Sequence, residues 1–584
     1  MTQPSTHTQA VSSNSQASKA LHPIIGELFK KRGFDANDVS EFLSWDLKEL
    51  PDLSKMKDLK KASTRLLLAI EEKQKIGVYG DYDVDGTTSC ALLYLFLKML
   101  DVADDKIELI QPSRFVEGYG IHPPSIDSAL EKDIAVLITV DCGITNGEAA
   151  EYAKLRGLDL IITDHHTDAL PELPEAFAVV NPNRRDEDSD SLLGPMAGVG
   201  VAFALALQIK KDLEFAGGTC PSLYPLLQFV AIGTICDLAK LTPVNLKLVR
   251  HGLRQLAGTK YEGIRTFFSP EEQKRGVVLA EKLSFQIGPM INSKGRLDHP
   301  EKALKLLIAD NHEDAFDCFS HLEISNRERK YIQGIVAKSA REQVRKNIDG
   351  EMFINIVYDS EWHEGVIGIV ASRLVEEFKV PALVFTDSEE EGVIKCSARS
   401  AGELDLFSLL NDQKDLFIKF GGHKAAAGLS MKKENLPELR TRLKNALVNV
   451  PAIARTRIDN YDLEIKPEAI NPAFVRSLDL LEPYGMHNSK PVFKMKGFKI
   501  ASFDVLKEVH VRWNLVSVTD PRVKLKGISF NYLGKWGLTH PEDLYALKLK
   551  NPEEELVAYF TLGLNYFRGN EHIQLMIDKI ESGF

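Results

Sequence analysis

The stretch KIGVYGDYDVDGTTSCALLYLFLKML, residues 75–100, decides the fold. KIGVYG is an apolar run of strand length, and Asp-Tyr-Asp-Val-Asp-Gly ends it with turn chemistry. TTSCALLYLFLKML (87–100) then reads as a buried helix. The alternation continues outward. KIELIQPS (106–113) reads as a strand, 123–130 as a helix, AVLITVD (135–141) as a strand and 147–156 as a helix. DLIITD (159–164) and AFAVVNP (176–182) follow as strands. Strands apolar along their whole length, separated by helices, predict a parallel sheet covered on both faces. The expected architecture is a doubly wound α/β domain.

Beyond it, 197–211 and 224–235 read as buried helices, and 301–347 as mostly helical. The charged stretch EISNRERKYIQGIVAKSAREQVRKN (323–347) suits a helix connecting two domains. A second, smaller α/β unit begins near Met352, with FINIVYD, PALVFTD and GVIKCSARS as strands and helices over 366–378 and 434–447. The acidic run 387–392 reads as a solvated turn. After about Pro451 the period falls to two in VHVRWNLVSV, ELVAYFTLGLNYF and HIQLMIDKI, with Arg568-Gly569-Asn570 as a hairpin turn. That pattern predicts a closed β-domain of the OB or a similar barrel type. The expected division is a disordered tail over 1–20, the first α/β domain with N-terminal helices over 21–300, the connecting helix over 301–350, the second α/β domain over 351–455 and the OB-like domain over 456–584.

Of the 584 residues, 44% are hydrophobic and 27% charged, which excludes collagen, a wholly disordered chain and a disulfide scaffold. The longest apolar run, 91–100, is half a membrane span and contains Lys98, so no membrane role is expected. The Ser-rich first twenty residues lack the apolar core of a signal peptide, and the six cysteines form no CxxC pair. Reduced thiols and a cytoplasmic location are expected. A net charge of −11 argues against a uniformly basic nucleic-acid coat and leaves room for a local positive groove.

The acids fall at the strand ends. The first strand runs into Asp81, Asp83 and Asp85, the third into Asp141, and the fourth into Asp164-His165-His166. In an open parallel sheet, ligands bind beyond the carboxyl ends of the strands. Asp237, after an apolar helix, can return to the same edge. One such Asp is an ordinary helix cap. So many together repel unless cations sit among them, and they are expected to open onto a cleft. Carboxylate with imidazole suits Mn²⁺, Fe²⁺ or Zn²⁺, and carboxylate with water suits Mg²⁺. There are ligands enough for two ions, a known arrangement for phosphoester hydrolysis. Gly80 and Gly86 let backbone come close to such ions, or are plain turn residues.

These residues resemble the signature motifs of the DHH phosphoesterases. GDYDVDGTTS, PSRFVEGYG, TVDCGI, TDHH, GPMINSKGRL, HEGVIGIVASRL, SARS and FGGHKAAAG stand in the order seen in the RecJ family of single-strand-specific 5′→3′ exonucleases, over about 75–431. The resemblance implies that Asp83, Asp85, Asp141, His165 and Asp237 hold two divalent ions, Mn²⁺ or Mg²⁺. Asp81 and His166 would lie close by, with Asp81, Asp83, Asp85 and His166 as the catalytic set. Arg114, Arg296, Ser397 and Arg399 would hold the 5′ end, and the backbone N–H groups of Gly421 and Gly422, with His423, a phosphate. Each arginine could instead be in a surface ion pair, and the glycines a turn between strands. Tyr119 would stack on a base, or be a core tyrosine. Lys494, Lys496, Lys499, Arg512, Lys524 and Lys526 would give the β-domain a basic face, or be solvated lysines. The implied activity is degradation of single-stranded DNA to mononucleotides in recombination and repair, with single-strand-binding protein and a RecQ-type helicase as partners. Three other readings stand beside it: a DHH phosphodiesterase on short oligonucleotides, an RNA-directed exonuclease, and a DNA-binding scaffold without activity.

Overall fold

The computed structural model describes the chain except residues 1–20, 113–117, 169, 188–191, 298–300, 347–352, 457–459, 533–543, 545–555, 568–569 and 583–584. The expected tail and the Arg568-Gly569 turn therefore lie outside the described residues. The chain divides into two compact units, one of residues 44–459 with 483–489, the other of 1–43 with 460–482 and 490–584.

The first unit opens with the parallel sheet. Its strands are β1 (Lys75–Gly80), β2 (Ile107–Ile110), β3 (Ile134–Val140), β4 (Asp159–Thr163) and β5 (Ala178–Val180), in the order β2-β1-β3-β4-β5. All four pairings are parallel. β3 is buried over six of its seven residues, which is why it reads as an unbroken apolar run. On one face the helices Pro123–Glu131 and Gly147–Arg156 pack Ile126, Ala129, Ala149 and Ala153 against Leu137, Leu160 and Ile162. On the other lie Leu59–Glu71, Val84–Met99 and Gly198–Phe215. Val84–Met99 is enclosed by the sheet and by the helices Gly198–Phe215, Leu227–Cys236 and Glu301–Ile308, so it is apolar nearly all round. The chain reverses direction across the sheet between β1 and β3, which makes the carboxyl ends of those two strands the topological switch point.

The connecting helix runs from His312 to Lys346. Of the segment expected as one connecting helix over 301–350, Glu301–Ile308 forms a separate helix, and Asn311 Oδ1 accepts from Asp314 N at 2.9 Å to cap the long one. Its last turns, Val336, Ala337, Ala340 and Val344, join the core of the second sheet beside the helix Glu364–Phe378. That sheet is mixed: β6 (Asn355–Tyr358), β7 (Ala382–Asp387), β8 (Val393–Arg399), β9 (Phe417–His423) and β10 (Ala426–Lys432), in the order β6-β7-β8-β10-β9. FGGHKAAAG is not an isolated turn. It spans the paired strands β9 and β10, with Gly421 and Gly422 on the edge strand. Residues 388–391 form the expected exposed acidic turn.

The second unit contains the strands β11 (Leu463–Ile465), β12 (Phe493–Met495), β13 (Phe498–Leu506), β14 (His510–Ser517), β15 (Lys524–Ser529), β16 (Leu556–Phe567) and β17 (Asn570–Ser582). They form one mixed sheet, β11-β12-β16-β17-β15-β14-β13. β16 and β17 pair up to Phe567 opposite Asn570, the hairpin the sequence leads one to expect. The helices Pro23–Lys31 and Ala36–Leu43, expected at the start of the first α/β domain, group with this unit instead. His22 packs 5.2 Å from Phe474, and Arg32 pairs with Asp462 at 2.9 Å. Trp513 on β14 is fully buried and donates to Ser529 Oγ at 2.9 Å, and Ser529 donates to Ile577 O at 2.8 Å. Trp513→Ala is expected to cost the β-rich unit about 3–5 kcal/mol. Denaturant melting followed by circular dichroism checks this, and an unchanged midpoint would remove Trp513 from that role.

Candidate metal centre

The site is built at the switch point. Asp83 ends the turn after β1 and caps the helix Val84–Met99, its Oδ1 accepting from Asp85 N at 2.9 Å and Gly86 N at 3.0 Å. Asp85 lies inside that first turn and is fully buried. Its oxygens accept from Gly198 N at 2.6 Å and Val199 N at 2.9 Å, the N-terminal amides of the helix Gly198–Phe215. That helix end therefore stabilises the charge on a carboxylate from another strand. A Cβ at Gly198 would stand 2.7 Å from Asp141 Cβ, so only glycine lets the helix approach this closely.

Asp141 follows β3 and takes a left-handed backbone conformation, φ +60°, rare for a non-glycine residue. It is 2% exposed. Asp237 caps the helix Leu227–Cys236, and Leu238 after it is also left-handed, at φ +60°. Two strained positions beside carboxylates of one cluster fit a functional site. The expectation that these acids open onto a cleft needs correction: Asp81, Asp85 and Asp141 are buried, while Asp83 is partly exposed.

His165 Nε2 is the focus of the cluster. It lies 3.1 Å from Asp141 Oδ1, 3.8 Å from Asp85 Oδ2 and 3.8 Å from Asp237 Oδ2. Three overlapping groups have ligand atoms within 4.8 Å of one another: Asp141, His165 and His166; Asp85, His165 and Asp237; Asp81, Asp83 and Asp141. Asp141 Oδ1 and His165 Nε2 are both buried without a hydrogen-bond partner of acceptable geometry. Buried polar atoms are normally satisfied. A carboxylate oxygen and an imidazole nitrogen left facing each other fit a divalent cation, and this donor set suits Mn²⁺ or Mg²⁺.

The electrostatics agree. Burial pushes the Asp85 carboxyl well above its usual range, with Asp237 and Asp83 adding to the shift. Burial and then the charge of Asp85 do the same to Asp141. Asp237 is pushed up to about 7 by burial and Asp83. The two histidines are driven apart. Burial, then the neighbouring His166 charge, lowers His165 to about 4, leaving a neutral imidazole able to bind a cation. Burial opposes charge on His166 too, but the Asp164 hydrogen bond and charge outweigh it and raise that imidazole to about 9.

Asp164, quoted in the sequence motif but given no role there, organises both rings. Its oxygens accept from Ile144 N at 2.9 Å, His165 N at 2.7 Å, His166 N at 3.1 Å and His166 Nδ1 at 2.8 Å. The Tyr119 hydroxyl also lies 3.0 Å from His166 Nδ1, and its ring is 39% exposed. Tyr119 is therefore at the site and not in the core. Asn181 donates to His166 O at 2.9 Å, and Gln111 Nε2 donates to Asp81 O at 3.1 Å. No spacing in the sequence marks Asn181, Gln111 or Gly198.

Of the expected substrate-binding residues, Arg114 lies outside the described residues, as does the Arg296 side chain. Arg296 belongs to the helix Gly288–Leu297, whose Gly295 lies against Tyr82 of the turn after β1. Ser397 and Arg399 are two residues apart on β8, so they share a face, and Arg399 donates to Ser397 Oγ at 3.1 Å. Gly428 stands opposite Ser397 and Gly421, and Ala426 opposite Arg399 and His423. Ser397, Arg399, Gly421 and His423 thus line one face of the sheet. A Cβ at Gly421 would meet nothing within 4 Å, so that face is open. Gly422 lies on the opposite face. In the β-rich unit, Lys499, Arg512, Lys524 and Lys526 share the face away from Trp513. Lys494 pairs with Glu464 at 3.2 Å, and Lys496 lies between β12 and β13.

A doubly wound sheet with a carboxylate–imidazole cluster at its switch point, followed by a second α/β domain, defines a DHH-type hydrolase. Residues 75–234 match the DHH family N-terminal domain, 349–449 the DHHA1 domain and 461–579 the RecJ OB domain. The chain is 31% identical over 578 residues to the single-stranded-DNA-specific exonuclease RecJ of Escherichia coli, covering 96% of each. It is 35% identical over 476 residues to that of Bacillus subtilis, 81% of this chain and 58% of that relative's length. The crystal structure of RecJ with Mn²⁺ from Thermus thermophilus superposes with a TM-score of 0.77 at 26% identity, over 97% of this chain and 76% of that one. The chain belongs to the RecJ family. Among the described residues no helix is long and apolar enough to cross a membrane.

The raised carboxyls imply a pH signature for the metal-free protein. Their folded values lie above the unfolded value near 4. Their contribution to stability is therefore complete below that value and is lost as pH rises, through about 7 for Asp237. In EDTA the thermal midpoint is expected to fall between about pH 5 and pH 8. Mn²⁺ should raise it more at the higher pH, because the ligands must lose their protons to bind. A Mn²⁺ effect independent of pH would contradict the cluster's role.

Proposed function

We propose that the chain is a metal-dependent 5′→3′ exonuclease that degrades single-stranded DNA to mononucleotides in recombination and repair. The observation that carries this reading is the convergence of Asp85, Asp141 and Asp237 on His165 Nε2, within 3.1–3.8 Å. Asp83, Asp85, Asp141, His165 and Asp237 would hold the cations. When bound, divalent cations supply charge neutralisation at a phosphodiester and lower the pKa of water.

The chain's own residues do the rest. Asp164 keeps His166 protonated, so a cation faces the phosphate at neutral pH. Asp81, at the close of β1, completes the acidic wall beside Asp83 and Asp141. The Tyr119 hydroxyl orients His166, and its half-exposed ring offers a face for a base. Ser397, Arg399, Gly421 and His423 present a cation, a hydroxyl, an imidazole and open backbone to a 5′ phosphate, and Arg114 and Arg296 would add to that grip. Gly422, on the other face, serves the strand geometry instead: a Cβ there would stand 2.5 Å from Ala426 O. A slot between the two α/β domains selects single strands by width. The Lys499, Arg512, Lys524 and Lys526 face would offer phosphate contacts of its own. Single-strand-binding protein and a RecQ-type helicase, which expose and deliver single strands, would be its partners in the cytoplasm.

The test is one internally labelled oligonucleotide, single-stranded or as a blunt duplex, with Mn²⁺, Mg²⁺ or EDTA and with either end blocked. Mononucleotides from the single strand alone, stopped by EDTA and by a 5′ block, are expected. Binding without cleavage in any metal would favour the scaffold. Asp83→Asn, which keeps the helix cap and removes the charge, should weaken metal affinity by at least about 100-fold with the fold intact. Wild-type turnover in that variant would sink the metal assignment. Arg399→Ala should reduce kcat/KM on 5′-phosphorylated ends by about 10–100-fold and on 5′-hydroxyl ends far less. Equal losses on both would remove its role at the end.

A further inference from the structure

Where the helix His312–Lys346 packs on Glu364–Phe378, two guanidiniums, of Arg329 and Arg373, meet on the single amide of Gln333. Arg329 on the first helix is 7% exposed, and its Nε is buried without a hydrogen-bond partner. Its Nη2 donates to Asn326 Oδ1 at 2.9 Å. Arg373 on the second helix is exposed at its outer side. All three of its guanidinium nitrogens reach the Gln333 amide oxygen, at 2.8–3.2 Å, when that amide is turned to accept. Turned the other way, the same oxygen accepts from Arg329 Nη1 at 3.4 Å. One carbonyl is thus shared between two guanidiniums, and whichever it serves leaves the other short.

Of the acids nearby, Glu376 favours the Arg373 charge without an ion pair, and Glu377 is committed elsewhere. Glu377 pairs with Arg341 at 2.7 Å and with Arg345 at 3.1 Å. Among the described residues no carboxylate lies within 4.0 Å of Arg329 or Arg373. Burial, and after it the charge of Arg373, disfavours the Arg329 cation, and burial and then Arg341 do the same to Arg373. Arg329 is thus a buried cation with no paired carboxylate, which is costly, and an anion at this junction would relieve it.

We propose that Arg329 and Arg373, with Gln333 and Asn326, form an oxyanion subsite that takes a backbone phosphate of the single-stranded substrate. The proposal rests on the reading that the chain acts on single-stranded DNA. Position supports it. Arg399 lies over Gly368 of the same helix that carries Arg373, at 3.1 Å from a Cβ placed there. Five residues separate Gly368 from Arg373, about 7.5 Å along the helix axis and about 140° around it, so Gly368 meets β8 while Arg373 meets the helix His312–Lys346. The subsite would therefore take a phosphate further along the strand than the end held at Ser397 and Arg399. The helix Gly288–Leu297, which carries Arg296, contacts both helices of the junction.

The test measures binding of a fluorescent thymidine oligonucleotide across a salt series, with full-length protein, Mn²⁺ present and Asp83→Asn throughout to stop hydrolysis. In that background Arg373→Gln is expected to weaken binding and to reduce the slope of log affinity against log salt by about 0.7, the loss of one phosphate contact. Arg373→Lys should restore the slope, because it restores the charge. Without nucleic acid, the Arg373→Gln midpoint should hold or rise, since one of two unbalanced like charges is gone. An unchanged salt slope overturns the proposal, as does a fall in midpoint with the slope unchanged, the mark of a structural clamp. If the parent protein itself fails to bind the oligonucleotide, the functional reading fails, and this subsite with it.

Discussion

Asp85 gives its charge to the amides of Gly198 and Val199 while lying wholly out of water, and the rest of the site is built around that contact. Two hydrogen bonds from a helix N-terminus stabilise one carboxylate. They do not offset the repulsion among Asp83, Asp85, Asp141 and Asp237 gathered on one sheet edge. The fold brings these groups together at the switch between β1 and β3, and a bound cation balances them. Glycine at 198 is part of the same constraint, because a side chain there would meet Asp141.

The paired histidines show how one short motif serves two electrostatic roles. His165 is driven neutral and His166 charged, although they are neighbours in the chain. Asp164 makes the difference, since it bonds the ring of His166 and only the backbone of His165. A neutral imidazole suits a cation, and a charged one suits a phosphate oxygen. Separating two titratable neighbours by environment is a general way of assigning acid, base and ligand roles within one site.

The first sheet was legible because parallel strands buried on both faces must be apolar throughout, as β1 and β3 are. The acids were legible because a sheet of this class uses the carboxyl ends of its strands. What the sequence hid has physical reasons. β9 and β10 were obscured because FGGHKAAAG lacks the β-branched residues that mark strands. The start of the long helix depended on a cap at Asn311 and not on apolar spacing. The burial of Asp85 follows from its contact with residues 113 positions away, which no local pattern encodes. The junction arginines are likewise invisible in the sequence, since Arg329 and Arg373 stand among many charged neighbours and only packing shows which of them is buried without a paired carboxylate.

The site turns on the proposed holding of divalent cations by buried carboxylates and one neutral imidazole at the switch point. Anomalous diffraction at the manganese edge, from crystals of the full chain grown in Mn²⁺, tests it most directly. Strong peaks enclosed by Asp83, Asp85, Asp141, His165 and Asp237 are expected, lost in the Asp141→Asn protein. Peaks confined to exposed surface acids, with Asp141 Oδ1 and His165 Nε2 left without a ligand, would contradict it.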